Sequence, residues 1–402
     1  MVLQGCKHYT PPKYHGKYGI TLTNHGYSEH TVIVDVGKQK VPVIFDTGSN
    51  PMFVKGSGKN SYSGTCNTDG TEEDMQYVDN SGFQSQKCLS GSADVGFWPC
   101  GEEGCMPTTT PVFYKTLPTD GETSKWSTAT KKFFQDGKID GIIGAGWTQP
   151  DSAFPDDFDF GKSAFDQILQ SVIQSQNSTE TLQLQRMFGV QMCPAEYNFV
   201  DGDEIAGGFV SVGHSDSTLH SGEIQTVPVQ KDGSDYYGYW CVEVEAIDII
   251  SGSETVATAT NSDLNGSAVK KGCQSLVDTG NDVGITLVGA AYDIVSAAYG
   301  SDCPAYSDVD SKPTMQITFT NGVVLSIPPK AMYRWKDGKG HSDSCEIRLG
   351  SATGNNNFGQ ALLSVYYTEF SRLTDQCDSE SDCTLGFAQI DGCDSKSLSE
   401  GQ

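Results

Sequence analysis

The sequence predicts a mainly β protein with a few short helices, folded as two lobes. Short apolar runs alternate with turn residues, since 45 glycines and 16 prolines are spread through 402 residues, and this pattern is typical of strands joined by tight turns. The segment VIFDTGSN at 43–50 returns as SLVDTGND at 275–282. Because one copy lies in each half of a chain long enough for more than one core, the repeat indicates two related lobes.

Four segments carry clear patterns of regular structure. Residues 30–48 are predicted to form two strands around a polar turn. Residues 163–176 have apolar side chains at helical spacing behind a serine N-cap, and residues 287–300 form a second predicted helix. Residues 315–327 predict a hairpin, because an Asn-Gly pair lies between two runs of β-forming residues.

Charge and hydropathy exclude two classes of function. The 51 acidic and 26 basic residues give a formal net charge of −25, and nucleic-acid binding is not expected without a basic surface. No run approaches the roughly 20 apolar residues of a membrane-spanning helix, so no membrane association is expected. The opening residues 1–19 lack an apolar core and are therefore not expected to be a signal peptide.

The 13 cysteines indicate disulfides and an oxidising compartment. Several lie in polar, glycine-rich stretches such as WPCGEEGCMP, and Cys241 and Cys273 are plausible partners. A zinc site is the alternative for a close cysteine pair, but no histidine or second tight pair completes a zinc pattern, so no metal or cofactor is expected. Sequons at Asn177 and Asn265 fit a glycoprotein, and we expect it to be secreted, lysosomal or vacuolar.

The repeat places Asp46 and Asp278 each directly after an apolar strand, where a lone buried charge is expensive. If the two turns meet between the lobes, the carboxyl groups share one proton. The charged member can then take a proton from water, and the protonated member can polarise a carbonyl group and donate to it. This chemistry suits hydrolysis of an amide, and the chain has neither the Gly-x-Ser-x-Gly nor the His-Glu-x-x-His pattern of rival hydrolases.

The residues that flank the two acids fit the same scheme. Glycines let the backbone pass close to the carboxylates and supply N–H donors, and threonines can hydrogen-bond across the interface. A serine can donate to the outer oxygen of the first acid, and an asparagine amide can donate to the second acid. The expected supporting residues are Thr47, Gly48 and Ser49 in the first turn and Thr279, Gly280 and Asn281 in the second.

Further segments, taken in order, resemble the pepsin-like aspartic proteases over nearly the whole chain. DGKIDGIIGAGW at 136–147 is similar to the family's glycine-containing segment under the first acid, and GGFVSVGHSD at 207–216 is similar to the strand near the end of its amino-terminal lobe. NNFGQALLSVYYTEFS at 356–371 and LGFAQI at 385–390 are similar to its closing strands. Each segment alone is a weak signal, and their order makes the resemblance specific.

The resemblance implies a bilobal pepsin-like double-β-barrel fold, with the active-site cleft between an amino-terminal lobe, 1–216, and a carboxy-terminal lobe, 217–402. It implies an aspartic endopeptidase that works at acidic pH, with Asp46 and Asp278 as catalytic residues and Asp46 losing its proton more readily. The implied partners are a polypeptide substrate in extended conformation, statine-type peptide inhibitors and the protein's own pro-segment in a zymogen. The resemblance also leads us to expect a monomer.

The resemblance further assigns a flap over the cleft and one disulfide. Tyr77, in QYVDNSGFQSQ, is the best match for the flap tyrosine, and Tyr114 is a poorer alternative. Phe53, assigned to the flap and substrate-binding region, stands where the family has a tryptophan that hydrogen-bonds this tyrosine, and a phenyl ring cannot donate. Cys303 and Cys345 correspond to a family disulfide in the second lobe.

Departures from the family pattern leave a second function open. Asn281 replaces the usual threonine or serine, and the extra acid Asp282 follows it and is interpreted as solvated. Residues 357–360, Asn-Phe-Gly-Gln, replace the usual Ile-Leu-Gly-Asp. With Phe53, these changes keep open a catalytically weak or inactive binding or inhibitor protein on the same fold, although the two intact acids favour an enzyme.

Overall fold

The computed structural model describes residues 18–25, 30–37, 39–50, 52–54, 72–79, 82–92, 95–98, 112–116, 139–147, 163–176, 182–194, 205–230, 239–265, 273–335, 340–374 and 381–393. Strands are the main element of this part of the chain, with a few short helices, which confirms the mainly β fold class.

The first-half strands are β1 (Gly19–Asn24), β2 (His30–Val36), β3 (Gln39–Asp46), β4 (Met52–Val54), β5 (Glu72–Asp79), β6 (Gly82–Ser92), β7 (Val95–Trp98), β8 (Val112–Thr116), β9 (Gly141–Gly144), β10 (Met187–Met192) and β11 (Ile205–Val212). The second-half strands are β12 (His220–Pro228), β13 (Cys241–Val242), β14 (Val244–Ser251), β15 (Glu254–Thr260), β16 (Ser275–Val277), β17 (Ile285–Val288), β18 (Thr314–Phe319), β19 (Val324–Ile327), β20 (Tyr333–Trp335), β21 (Cys345–Ile347), β22 (Leu349–Ala352), β23 (Asn356–Phe358), β24 (Tyr366–Arg372) and β25 (Cys383–Ile390).

The described helices are short. They are α1 (Ala164–Gln174), α2 (Asn261–Leu264), α3 (Gly289–Tyr299), α4 (Pro329–Met332) and α5 (Gln360–Leu363), with 3-10 turns at Tyr306–Ser311 and Ser342–Ser344. No helix among the described residues is both long enough and apolar enough to cross a membrane.

The locally predicted elements are present. Helix α1 begins after Ser163, whose hydroxyl accepts a hydrogen bond from the Asp166 N–H at 3.1 Å, as its N-cap pattern predicts. The second predicted helix is α3. Strands β2 and β3 pair antiparallel. Strands β18 and β19 form the predicted hairpin, with Gly322 in its turn at a φ of 84° that favours glycine.

One large sheet runs through both halves of the chain. Its strand order is β12-β25-β24-β10-β11-β1-β2-β3-β9-β4-β8-β6-β5, and β7 pairs with β2. Strand β10 from the first half pairs antiparallel with β24 from the second, which sets Phe188 opposite Phe370. The predicted lobe boundary between residues 216 and 217 lies in the connection between β11 and β12, and the boundary itself stays a prediction.

Two smaller sheets build most of the second half. One has the order β13-β16-β23-β17-β22 and the other the order β15-β14-β18-β19. In the first of these sheets, β16 runs parallel to β23 and sets Val277 beside Phe358. This parallel pair carries the second Asp-Thr-Gly turn.

An aromatic cluster ties the two halves together. The Phe188 ring stacks on Phe370 at a centroid distance of 4.7 Å, and Phe45 and Trp240 meet Phe188 edge to face at 5.9 and 5.8 Å. These rings are almost fully buried, and such pairs add to the stabilisation from apolar burial. Because Phe45 directly precedes Asp46, the core fixes the strand end from which the first acid projects.

Three disulfides are present in the described part of the chain. They join Cys193 to Cys393, Cys241 to Cys273, and Cys303 to Cys345.

Candidate active site

The two acids occupy equivalent positions in the two halves. Asp46 is the last residue of β3, which runs parallel to β9 and sets Asp46 beside Gly144. Asp278 follows β16, and its N–H donates to the Phe358 carbonyl of the parallel neighbour β23 at 3.0 Å. In both halves a short apolar strand therefore ends at an acid beside a parallel partner strand.

The two turns are joined by reciprocal hydrogen bonds. The Thr47 N–H donates to Thr279 Oγ1 at 3.0 Å, and the Thr279 N–H donates to Thr47 Oγ1 at 3.0 Å. The Thr47 hydroxyl donates to the Val277 carbonyl at 3.0 Å, and the Thr279 hydroxyl donates to the Phe45 carbonyl at 2.5 Å. Both threonines are buried, so these four bonds hold the two turns in one fixed relation.

This arrangement brings the two carboxyl groups into direct contact. Asp46 and Asp278 are hydrogen-bonded to each other, with only 3% and 9% of their surfaces exposed. The Gly48 N–H donates to Asp46 Oδ1 at 2.9 Å, and the Gly280 N–H donates to Asp278 Oδ1 at 2.8 Å. Each acid therefore receives a backbone donor from its own turn.

Gly48 and Gly280 are required by space rather than by backbone conformation. A Cβ atom on Gly48 would lie 2.5 Å from Asp278 Oδ2, and a Cβ atom on Gly280 would lie 2.6 Å from Asp46 Oδ1. Since non-bonded carbon and oxygen atoms do not approach so closely, each turn needs glycine to admit the acid of the other turn.

The electrostatics of the pair favour a shared proton. Burial, followed by the negative charge of Asp278 and the hydrogen bond to it, raises the pKa of Asp46 well above its ordinary range. Hydrogen bonds from Ser49 and Gly48 act in the opposite direction. Because two adjacent carboxylates cannot both ionise easily, the pair keeps one proton over a wide pH range.

The outer oxygens of the two acids have different donors. The Ser49 hydroxyl donates to Asp46 Oδ2 at 2.6 Å, as expected. The Asn357 amide, and not that of Asn281, donates to Asp278 Oδ2 at 2.6 Å. Asn281 instead donates to Asn357 Oδ1 at 2.8 Å, so it lies one hydrogen bond further from the acid than the sequence suggested.

The flap assignment stays a prediction. Tyr77 is on β5, opposite Gln84 of β6 in an antiparallel hairpin, and β6 pairs with β8. Strand β8 pairs in turn with β4, which sets Tyr114 beside Phe53. Phe53 is buried, with 6% of its surface exposed, and its place in the flap and substrate-binding region stays a prediction.

Sequence reasoning did not single out Tyr239 as a site residue. It is 43% exposed, and loss of surrounding water, followed by the negative charge of Asp46, raises the pKa of its hydroxyl. Tyr239 directly precedes Trp240, whose indole N–H donates to the Ala145 carbonyl at 3.0 Å. The hydrogen bond between Trp240 and Ala145 joins distant parts of the chain, so no local sequence pattern predicts it. It brings the partly exposed Tyr239 close to the two acids, Asp46 and Asp278.

Asp282 is half-buried, not solvated as the sequence suggested. Burial raises the pKa of its carboxyl group, whereas the positive charges of Arg334 and Arg348 lower it. Arg348 is itself buried, which lowers its pKa to about 9, and its guanidinium donates to Gln360 Oε1 at 3.0 Å. The extra acid therefore belongs to a charged cluster beside the second turn.

No metal-binding cluster is found in the described residues. Among them, no three His, Cys, Asp or Glu side chains come together in a way that could hold a metal ion.

This chain is similar to several known proteins. Cathepsin E of Aquarana catesbeiana is 26% identical over 355 residues, which cover 83% of this chain and 74% of that protein. Cathepsin E-A of Xenopus laevis is 27% identical over 382 residues, covering 87% of this chain and 79% of that protein. Pepsin A of Bos taurus is 26% identical over 185 residues, which span less than half of either chain, namely 44% and 45%.

The family model for eukaryotic aspartyl proteases matches residues 29–379. This range contains both Asp-Thr-Gly turns, the residues that join them and the strands that carry them. The chain therefore belongs to the eukaryotic aspartyl protease family and has its mainly β, bilobal pepsin-like fold.

Proposed function

We propose that the protein is an aspartic endopeptidase that hydrolyses peptide bonds at acidic pH, with Asp46 and Asp278 as its catalytic residues. The observation that carries this proposal is the direct contact of the two buried carboxyl groups, held by reciprocal threonine hydrogen bonds. A structural role alone does not call for two buried acids in contact, because their mutual repulsion costs stability.

The chemistry follows from one proton shared by two carboxyl groups. The ionised acid removes a proton from a water molecule whose oxygen attacks the carbonyl carbon, while the protonated acid donates to the carbonyl oxygen. The resulting tetrahedral diol collapses as the C–N bond breaks, and a proton passes to the leaving nitrogen. The products are a carboxylic acid and an amine, and the pair regains its single proton.

The substrate of this proposal is a polypeptide in extended conformation. Two features are consistent with a cleft for such a substrate. The antiparallel hairpin of β5 and β6 could form the flap, and the partly exposed Tyr239 could form part of the cleft wall near the two acids. Statine-type peptides are the matching inhibitors, and a pro-segment is the expected internal ligand of a precursor. The three disulfides support an oxidising location, either secreted or lysosomal or vacuolar.

Cleavage of a denatured protein between about pH 3 and pH 7, which spans ordinary and raised carboxyl pKa values, tests the proposal. We expect activity with an acidic optimum, inhibition by a statine-type peptide, and a loss of at least about 100-fold in kcat for Asp46→Asn and Asp278→Asn. Asp308→Asn, at an exposed acid, is the matched control and should retain activity.

The competing function is a binding or inhibitor protein on the same fold. It is favoured if the folded wild-type chain, free of any pro-segment, cleaves nothing at any pH yet still binds the statine-type peptide. Cleavage that persists in Asp278→Asn would instead remove the pair from the mechanism.

A further inference from the structure

The second turn is linked to its neighbouring strand by a chain of three hydrogen bonds. The Val283 N–H donates to Asn281 Oδ1 at 3.2 Å. The Asn281 amide donates to Asn357 Oδ1 at 2.8 Å, and the Asn357 amide donates to Asp278 Oδ2 at 2.6 Å. We call Asn281 and Asn357 the amide relay.

The orientation of both amides in the relay is fixed from one end. A backbone N–H can only donate, so the atom of Asn281 that faces Val283 must be its carbonyl oxygen. The Asn281 NH₂ group then faces Asn357 and requires the oxygen of that side chain, which leaves the Asn357 NH₂ group against Asp278. Reversing either amide would set two donors or two acceptors against each other.

The donor in the first turn is of another kind. The Ser49 hydroxyl, which donates to Asp46 Oδ2, can rotate and accept a hydrogen bond from a protonated carboxyl group instead. An oriented NH₂ group can only donate. The Ser49 hydroxyl therefore accommodates either the ionised or the protonated form of Asp46, whereas the Asn357 amide stabilises the ionised form of Asp278.

We propose that the amide relay keeps Asp278 as the ionised member of the pair and leaves the shared proton on Asp46. Asn357 and Asn281 are positioning residues in this proposal, which rests on the proposed proteolytic function. The water-activating base is then Asp278, and the carbonyl-polarising acid is Asp46, the reverse of the order implied by the family resemblance.

Other ionisable groups surround the pair. Asp46 faces Asp278, the charge of Asp46 reaches Tyr239, and Asp282 follows Asn281 on the chain. Arg334, Arg348 and Glu346 surround Asp282. Substitutions confined to the relay or to Ser49 leave all these groups in place, so a change in the titration of the pair is attributable to the removed donor.

The test compares the pH dependence of kcat/KM for peptide cleavage in the wild type, Asn357→Leu and Ser49→Ala. Loss of a donor raises the pKa of the carboxyl group that it contacts. We expect Asn357→Leu to move the acidic limb of the profile, where the base ionises, to higher pH by about one unit. Ser49→Ala should instead move the alkaline limb, where the remaining proton is lost.

Two more variants separate positioning from folding. Asn281→Ala leaves Asn357 in place but free to reverse its amide, and it should move the acidic limb in the same direction by a smaller amount. The double variant Asn281→Ser/Asn357→Leu puts a hydroxyl three residues after Asp278, as Ser49 is three after Asp46. This variant should return the acidic limb toward its wild-type position.

Two outcomes would overturn the proposal. In the first, Asn357→Leu moves the alkaline limb and Ser49→Ala moves the acidic limb. In the second, the limbs do not move, or both variants move them equally.

The titration can also be followed without activity, by ¹³C NMR of the aspartate carboxyl groups, with the signals assigned from Asp46→Asn and Asp278→Asn. If Asp278 ionises first in an inactive wild type, the proteolytic function fails and the relay stands. If an active wild type ionises Asp46 first, the relay fails alone.

Discussion

The buried acids Asp46 and Asp278 are each stabilised by two hydrogen-bond donors besides their contact with each other. Asp46 receives the Gly48 N–H and the Ser49 hydroxyl, and Asp278 receives the Gly280 N–H and the Asn357 amide. Because donors to a carboxylate offset its loss of water, one negative charge is tolerated in this interior. A second charge is not compensated to the same degree, and this difference keeps a proton on the pair.

Another buried group, His30, is held in its neutral form at acidic pH. Its surface is only 3% exposed, and its Nε2 contacts the Cys193 carbonyl at 3.1 Å, so Nε2 carries the hydrogen. The pKa of His30 is lowered to about 3, mainly by burial and also by the charges of Arg348 and His25, against the effect of the Cys193 carbonyl. His30 therefore stays neutral where an ordinary histidine becomes charged.

We predict that His30→Gln makes folding less sensitive to acid. Between the ordinary pKa of 6.5 and the folded value of about 3, the unfolded wild type binds a proton that the folded state does not, so stability falls as pH falls. At about 1.4 kcal/mol per pH unit, the wild type loses about 3 kcal/mol from this group by pH 4. The glutamine side chain of the variant does not titrate, and it retains an amide donor for the Cys193 carbonyl.

Urea unfolding of wild type and His30→Gln at pH 7 and at pH 4 measures this effect. As the pH falls, the free energy of unfolding should decrease less in His30→Gln than in the wild type. His341→Gln, at an exposed position, controls for the loss of an imidazole. A stability difference that is the same at both pH values would show that His30 is not held neutral by burial.

Single residues differ in how far the sequence could predict them. Asp46 and Asp278 were predictable, because two matched motifs after apolar strands are visible in the sequence alone. The contact of Asn357 with Asp278 was not, because it depends on the parallel pairing of β16 with β23 across 79 residues of chain. Tyr239 was missed for the same reason, since only the folded chain brings it near Asp46.

At the scale of elements, strand β9 and the residues after it support the first turn. The Ala145 N–H donates to the Asp46 carbonyl at 2.7 Å, and the Gly146 N–H donates to the Ser49 carbonyl at 2.8 Å. Such contacts require a close approach of two backbones. A Cβ atom on Gly144 would lie 2.3 Å from the Asn50 carbonyl oxygen, so an alanine there must displace the turn.

We predict that Gly144→Ala destabilises the fold by about 1–3 kcal/mol, the usual range for overpacking. It should also lower kcat/KM by about 100-fold, because a shift of about 1 Å misplaces Asp46 and Ser49 relative to the substrate. Gly354→Ala is the matched control, since nothing lies within 4 Å of its added Cβ. Thermal unfolding and peptide cleavage measure both effects, and an active, stable Gly144→Ala would contradict the close approach.

Elements with a local signal were predictable, and their arrangement was not. Helix α1 and the hairpin of β18 and β19 follow from apolar spacing, a serine cap and an Asn-Gly turn. The order β9-β4-β8-β6-β5 within the large sheet depends on pairings between distant strands. Nothing in the local patterns of β4 or β8 specifies that they run parallel.

At the scale of the whole molecule, β10 has a central role in joining the halves. It pairs with β11 of the first half on one side and with β24 of the second half on the other. Cys193, directly after β10, is bonded to Cys393, which follows β25. The Cys193 carbonyl also accepts hydrogen bonds from Asn24 and His30, so this disulfide ties the end of the described chain to the first strands.

We predict that removing the Cys193–Cys393 disulfide destabilises the fold more than removing Cys303–Cys345. The first closes a loop of 200 residues and the second one of 42, and loop-closure entropy gives losses of about 5 and about 4 kcal/mol. Paired serine substitutions at each site, compared by denaturant unfolding under non-reducing conditions, measure the difference. A larger loss at Cys303–Cys345 would mean that contacts within the second half, and not the joining of distant chain segments, dominate the contribution of the disulfides to stability.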